Sequence, residues 1–342
     1  MNLMSQNSQS TSERSDCRIL WAENLRKSYG PREALKGLSF TLKCGRILGF
    51  LGPNGAGKTT AIRILTTILE PSSGSFYVDG IGSDSPEIIR RKIGVLPESL
   101  GFPNQITAME YLIYFGRLYG QSAAEAADKS KMLLAEVGLT SRSRSLIGTY
   151  SRGMRQKLGI ARTLVNDPVV AFLDEPTLGL DPKGQLNFLT LVRRIAREHN
   201  VGIILCSHAL SEVEGICDDV VILNEGEVVA AGAVPDIIGE VKRHADYQKG
   251  IRLRVPLFSI METQRLLEGM PDVLRVVPTK ENSGWLRVDL ADSGNGTLEA
   301  DPYINNKLMK TLIQAEIPVL SLEEEGHRLQ DVFFHFTEQT KK

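Results

Sequence analysis

The stretch Gly52-Pro53-Asn54-Gly55-Ala56-Gly57-Lys58-Thr59-Thr60 constrains this chain more than any other. The apolar run Ile47-Leu48-Gly49-Phe50-Leu51 precedes it, and Ala61-Ile62-Arg63-Ile64-Leu65 follows at helical spacing. Strand, glycine-rich loop and helix in that order fit G-x-x-x-x-G-K-[ST], the pattern of a phosphate-binding loop. The glycines let backbone approach a ligand where side chains would block it. Loop N–H groups and the helix start present partial positive charge to phosphate oxygens. In such a loop Lys58 reaches the β- and γ-phosphates as a point charge, and Thr59 offers its hydroxyl to Mg²⁺.

Length and composition narrow what can be built around that loop. With 342 residues the chain has room for roughly two domains. Its 42% apolar and 24% charged residues describe an ordinary globular protein. A net charge of −1 gives no basic footprint, so no nucleic-acid partner is expected. Cys17, Cys44, Cys206 and Cys217 lie far apart with no C-x-x-C pair, and reduced thiols are expected rather than a zinc site or a disulfide framework. No apolar run approaches the ~18–20 residues of a membrane-spanning helix, so any membrane role calls for a separate membrane-spanning partner. The Ser/Asn/Gln-rich start, Met1 to Asp16, lacks the apolar core of a signal peptide and reads as a disordered lead-in.

Arg18–Asn24 and Ala34–Leu42 read as strands around the polar turn Tyr29-Gly30-Pro31-Arg32. Pro71-Ser72-Ser73-Gly74 stops the helix that follows the loop. Apolar spacing over Thr107–Tyr119 and Ala123–Val137 predicts an inserted helical subdomain, about 99–165. Ser151 stands where it can cap the next helix. The continuous apolar runs Val169–Leu173 and Val201–Cys206 read as strands buried on both faces of a parallel sheet. From Gly239 to Gly250 the chain turns charged and loses apolar periodicity, which predicts a linker. Beyond it, Ile251–Val255, Ser259–Leu267, Val273–Pro278, Trp285–Leu290, Asn305–Ala315 and Val319–Leu322 read as β-α-β-β-α-β, a ferredoxin-like order. A last amphipathic helix is expected near Leu329–Phe336. The expected organisation is a tail over 1–17, a nucleotide-binding domain over 18–238, a linker over 239–250 and an α+β accessory domain over 251–342.

Two carboxylates, Asp174-Glu175, close the apolar run Val169–Leu173. Carboxylates at the end of a buried strand are costly unless something positive needs them. Ligands of open α/β sheets bind at the carboxyl ends of the strands. Asp174 is therefore read as a Mg²⁺ ligand, and Glu175 as the group that orients and deprotonates an attacking water.

Taken together, five segments resemble the nucleotide-binding subunit of an ABC transporter. They are the phosphate loop Gly52–Thr60, the box Asp174-Glu175-Pro176-Thr177, the loop Gly179-Leu180-Asp181, the pair Ser207-His208, and Tyr150-Ser151-Arg152-Gly153-Met154-Arg155-Gln156-Lys157-Leu158, which is similar to the family's signature segment. The resemblance covers about Ile19–Gly232 and implies a P-loop α/β cassette: a mixed, mainly parallel sheet with antiparallel β and helical subdomains. It implies ATP and Mg²⁺ as ligands. Ser151, Gly153 and Asp181 would serve ATP held by a facing cassette, His208 would contact the γ-phosphate, and Tyr29 would stack on adenine.

Three positions depart from the family's usual residues. Glu98 stands where the family usually has Gln, Arg152 where Gly is commoner, and Met154 where Gln is commoner. Glu98 can still hold Mg²⁺ or water through its carboxylate. These departures, with the tail Leu329-Gln330-Asp331-Val332-Phe333, resemble the branch that exports drugs, lipids or polysaccharides. The resemblance implies a second cassette, identical or different, and a membrane-spanning permease docked near Glu98–Tyr119, with the chain peripheral on the cytoplasmic face. The alternative, an ABC-type ATPase acting on DNA or the ribosome, usually brings coiled-coil insertions, zinc modules or tandem cassettes. None of these is legible here.

Overall fold

The computed structural model describes residues 17–207, 210–243, 250–279, 283–291, 302–324, 329 and 333. Two compact units divide the chain, Met1–Val234 and Pro235–Lys342. The first unit opens with β1 (Arg18–Tyr29), β2 (Arg32–Lys43), β3 (Ile47–Leu51), α1 (Lys58–Leu65), β4 (Ser73–Val78) and β5 (Ile81–Gly82). It continues through α2 (Pro86–Lys92), β6 (Ile93–Leu96), α3 (Ala108–Leu118), α4 (Ala123–Glu136) and α5 (Arg152–Thr163). It closes with β7 (Val170–Asp174), α6 (Pro182–Glu198), β8 (Gly202–Cys206), α7 (Leu210–Ile216), β9 (Asp219–Asn224) and β10 (Glu227–Ala233).

Two sheets build this unit. One is antiparallel, in the order β2-β1-β4-β5. The other runs β10-β9-β3-β8-β7-β6, with every pair parallel except the edge pair β10–β9. β3 and β8 are buried along their whole length, as strands covered on both faces must be. β1 and β2 run longer than their apolar alternation suggests. Register shifts, one of them between Ala22 and Leu25 where Asn24 turns to φ 47°, absorb the misfit and let pairing continue to Tyr29. Leu20, Leu25, Leu38, Phe76 and Val78 of the antiparallel sheet pack with Phe50, Phe172, Ile204 and Leu223 of the other, and Ile64 and Leu65 of α1 join the same core. The helix after the phosphate loop is thereby gripped by both sheets.

Helices α3 and α4 form because their starts are closed locally. Thr107 with Glu110, and Ser122 with Glu125, make reciprocal capping boxes that satisfy the first free N–H groups. Helix α5 lies against β6 so closely that a Cβ on Gly159 would sit 2.4 Å from Leu96 Cδ1.

Two expectations are corrected here. Cys17 and Cys44 form a disulfide. Pairing of Arg18 with Lys43 brings the two residues together, and the Cys44 N–H donates to the Cys17 carbonyl at 2.8 Å. Spacing along the chain hides a proximity that strand register creates. Cys206 and Cys217 are free and buried. The charged stretch after Gly239 begins as helix rather than linker: α8 spans Val234–Arg243. Residues 1–16, 244–249 and most of the last amphipathic segment lie outside the described residues.

The second unit continues from α8 with β11 (Gly250–Arg254), α9 (Ile260–Glu268), β12 (Val273–Pro278), β13 (Trp285–Leu290), α10 (Pro302–Gln314) and β14 (Ser321–Glu324). Its sheet is antiparallel in the order β12-β13-β11-β14, the arrangement of a ferredoxin-like β-α-β-β-α-β unit. Ile251, Leu253, Leu286 and Val288 of the sheet share a core with Leu267 of α9 and Leu308 and Leu312 of α10.

Candidate functional site

The phosphate loop leaves β3 at its carboxyl end and is held by its neighbours' backbone. Gly226 N–H donates to the Ala56 carbonyl at 3.1 Å, and Lys36 N–H donates to the Gly226 carbonyl at 2.8 Å. Gly57, the residue before α1, has φ 108°, and a Cβ there would lie 2.7 Å from the Ala34 carbonyl oxygen. Only glycine meets both conditions. Lys58 curls over the loop, its Nζ donating to the carbonyls of Gly52 at 2.6 Å and Pro53 at 3.1 Å. Pro53, Asn54, Gly55 and Thr59 are exposed on this edge, and Thr60 is half-buried.

Asp174 ends β7, two strands from β3, in register with Cys206 of β8. Burial pushes its carboxyl above the ordinary aspartate range, and the charges of Glu175 and Glu98 push it further, while Lys58 and Arg63 pull it back. Side chains from three separate segments, α1, the end of β7 and the loop after β6, therefore share one electrostatic neighbourhood. Buried Cys206 beside them has its thiol pushed well up, chiefly by desolvation, and is chemically inert.

Glu175 adopts φ 47°, the left-handed region that glutamate rarely occupies. Its N–H donates to the Cys206 carbonyl at 2.9 Å, and its carbonyl accepts from the Leu178 N–H at 3.2 Å. Backbone held this way at a strand end is a mark of functional sites. Asp181 precedes α6 as its cap residue and is exposed.

Ser151 caps α5, its hydroxyl accepting from the Met154 N–H at 3.3 Å. The neighbours of this helix start are in the Thr177–Asp181 turn. Leu180 Cδ2 is 3.8 Å from where a Gly153 Cβ would stand, and the Arg152 guanidinium occupies the space a Cβ on Gly179 would fill, with Cζ 2.4 Å from that point. At φ 73°, Gly179 is the residue type that leaves room for it. Arg152, a departure from the family's commoner glycine, thus bridges two of the segments that carry the resemblance. Tyr29 is 47% exposed at the end of β1, with Lys27 Nζ 5.6 Å above its ring. His208 lies outside the described residues.

Sequence reasoning missed Glu212. Its carboxylate accepts from the Thr177 and Ser207 hydroxyls. Thirty-five residues separate Glu212 from Thr177, and no periodicity or motif links them. The sole hint is that Glu212 follows the Ser207-His208 pair closely.

Known proteins share this architecture. Residues 35–178 match the ABC transporter family, ABC_tran. The chain is 37% identical over 318 residues to the ABC transporter ATP-binding protein YxlF of Bacillus subtilis (strain 168), covering 92% of this chain and 98% of that protein. It is 32% identical over 324 residues to the ABC transporter ATP-binding protein YdbJ of the same organism, covering 93% and 95%. This chain belongs to the ATP-binding subunits of ABC transporters. Over a shorter span the subunit is 37% identical to the linearmycin resistance ATP-binding protein LnrL, also of B. subtilis, across 64% of this chain and 70% of that protein. Among solved structures, an ATP-binding subunit of an ABC transporter aligns with a TM-score of 0.58 and 32% identity, covering 65% of this chain and 92% of the other. A dimeric ATP-binding cassette in a post-hydrolysis state with ADP and Pi aligns at 0.57 and 25%, covering 63% and 99%. The subunit binds ATP and is an ATP-hydrolysing enzyme. Nothing among these relatives favours action on DNA or the ribosome.

Proposed function

We propose that the subunit closes with a second cassette over ATP and that hydrolysis powers export through a separate membrane-spanning permease. The observation that carries this reading is the Asp174 carboxyl, which feels Glu175, Glu98, Lys58 and Arg63 together. A phosphate loop, a carboxylate suited to a cation and a second carboxylate suited to a water meet at one sheet edge, where open α/β folds bind ligands. Lys58 and the loop N–H groups hold the phosphates, with Gly52 through Thr60 as the cradle. Glu175 takes the proton of the attacking water, and His208 contacts the γ-phosphate. Tyr29, an exposed aromatic ring at the end of β1, stacks on adenine. Ser151, Gly153 and Asp181 serve the ATP of the facing cassette.

Thr59, Asp174 and Glu98 supply hard oxygen donors, which fit Mg²⁺. Among the described residues no three His, Cys, Asp or Glu side chains form a self-contained metal cage. That suits a cation held by one or two carboxylates and by the nucleotide itself. When bound, Mg²⁺ neutralises charge on the β- and γ-phosphate oxygens.

Among the described residues no helix is long and apolar enough to cross a membrane. A groove lined by Ile68, Arg90, Phe115, Tyr119, Arg162 and Asn166 offers the permease a mixed apolar and cationic surface. Export is the direction favoured by the relative named for linearmycin resistance. On this reading the subunit is peripheral on the cytoplasmic face.

Glu175→Gln tests the proposal. The amide keeps shape and hydrogen bonding but takes no proton, so turnover falls about 10²–10⁴-fold. ATP affinity holds, and relief of like-charge repulsion tightens it if anything. The variant accumulates as an ATP-bound dimer, read by size-exclusion chromatography with Mg²⁺ and ATP. Normal turnover removes the general-base assignment. An inactive variant that stays monomeric removes either the shared-site mechanism or the pairing of this chain with itself.

A further inference from the structure

One half-buried carboxylate fastens the two strand ends that frame the site. Oε2 of Glu212, in α7, accepts from Thr177 Oγ1 at 2.5 Å and from Ser207 Oγ at 3.2 Å. Thr177 is 2% exposed and Ser207 1%, so neither hydroxyl sits in open solvent. Hydroxyls buried without an acceptor are expensive, and a carboxylate acceptor makes their bonds stronger than neutral ones. Thr177 stands two residues after Glu175, and Ser207 directly follows β8.

The same two strand ends are tied a second way, through the Glu175 N–H and the Cys206 carbonyl. The turn beyond is wound on these anchors: Leu178 N–H donates to the Glu175 carbonyl and Leu180 N–H to the Thr177 carbonyl at 3.0 Å. Glu175 keeps its φ of 47° inside that frame. A residue stays in a sparsely populated backbone region only where its surroundings over-determine it. The direct bond fixes the front of the turn at Glu175, and the Glu212 bridge fixes its back at Thr177.

We propose that Glu212 is a positioning residue for ATP hydrolysis, locking Thr177 to Ser207 so that the Glu175 turn keeps its working geometry. The proposal rests on the reading of Glu175 as the general base. Glu212 touches no phosphate in this account, so its loss acts on turnover and leaves nucleotide binding in place.

The test uses the full chain, with kcat and KM for Mg²⁺-ATP and equilibrium binding of a non-hydrolysable ATP analogue. Glu212→Ala lowers kcat by about 10–100-fold, the scale set by small misplacements of a reacting group. KM and analogue affinity stay within about threefold, the split expected when only transition-state geometry is lost. Glu212→Gln, whose amide oxygen still accepts both hydroxyls, recovers most of kcat. Thr177→Val lowers kcat in the native background and adds little on top of Glu212→Ala, where the bond it would remove is already lost. Native kcat in Glu212→Ala overturns the proposal, as does a Gln variant no better than Ala, or a parallel loss of analogue binding. Should Glu212→Ala fail to fold, Thr177→Val and Ser207→Ala each remove one donor, and native kcat in both overturns it equally. Glu175→Gln is the control. Normal turnover there sinks the general-base reading, whereas a dead Glu175→Gln beside an unimpaired Glu212→Ala sinks the Glu212 proposal alone.

Discussion

The two units are built from the same ingredients, alternating strands and amphipathic helices, yet among the described residues only the first gathers chemistry at one edge. Its central strands β9, β3, β8 and β7 are parallel, so their carboxyl ends emerge together. The helix that follows β3 and its loop begins with Lys58, the end of β7 carries Asp174 and Glu175, and the end of β8 carries Ser207. The antiparallel sheet of the second unit sends adjacent strand ends to opposite edges. Its described residues form a packed core with no comparable meeting of charged strand ends. Topology rather than composition decides where a site can form. On that edge the first unit places the left-handed backbone of Gly57 and Glu175.

Of the tests of this contrast, Lys58→Ala has the largest effect. It removes one charge from a half-buried, loop-bound position, so the fold survives while turnover collapses. Loss of one phosphate-binding donor costs about 10²–10³-fold, by analogy with an oxyanion-hole donor. Steady-state ATPase rates with a thermal melt check both halves, and near-native rates would break the site assignment.

Leu253→Ala is the converse. Leu253 is 2% exposed in the core of the second unit, and its truncation destabilises that unit by about 2–5 kcal/mol. Calorimetry shows a transition moving down while the ATPase rate of the first unit holds. A rate that falls in step with the transition shows that the units are energetically coupled.

A smaller effect follows from the raised Asp174 carboxyl. The folded protein holds this proton more tightly than the unfolded chain, so folding loses stability as pH rises from the ordinary aspartate range through the raised folded value. Below both values the penalty is absent. Nucleotide-free Asp174→Asn, measured with chelator, is therefore more stable than native at about pH 7, and the advantage fades below about pH 4. An advantage that does not change with pH would point to packing instead.

Ser122→Ala is the smallest. It opens the capping box of α4 and costs about 1 kcal/mol of stability, with kcat unchanged. A change in kcat would show that the α3–α4 helical region communicates with the site.

Sequence alone determined a good deal of this protein. The phosphate loop, the paired carboxylates and the β-α-β-β-α-β order are legible because each is local: a glycine spacing, a charge pair closing an apolar run, a change of period. What stayed hidden depends on partners distant in the chain. The Cys17–Cys44 disulfide needs strand register. Arg46, bidentate to Asp219 at 2.7 and 2.8 Å, needs the parallel pairing of β3 with β9. The helix α8 continues into charged sequence whose polarity alone suggested a linker. Glu212 joins Thr177 and Ser207 only after three segments have docked. Short-range propensity and spacing write elements and motifs into a sequence. Hydrogen bonds and ion pairs between distant residues are chosen by packing, which tertiary structure alone decides.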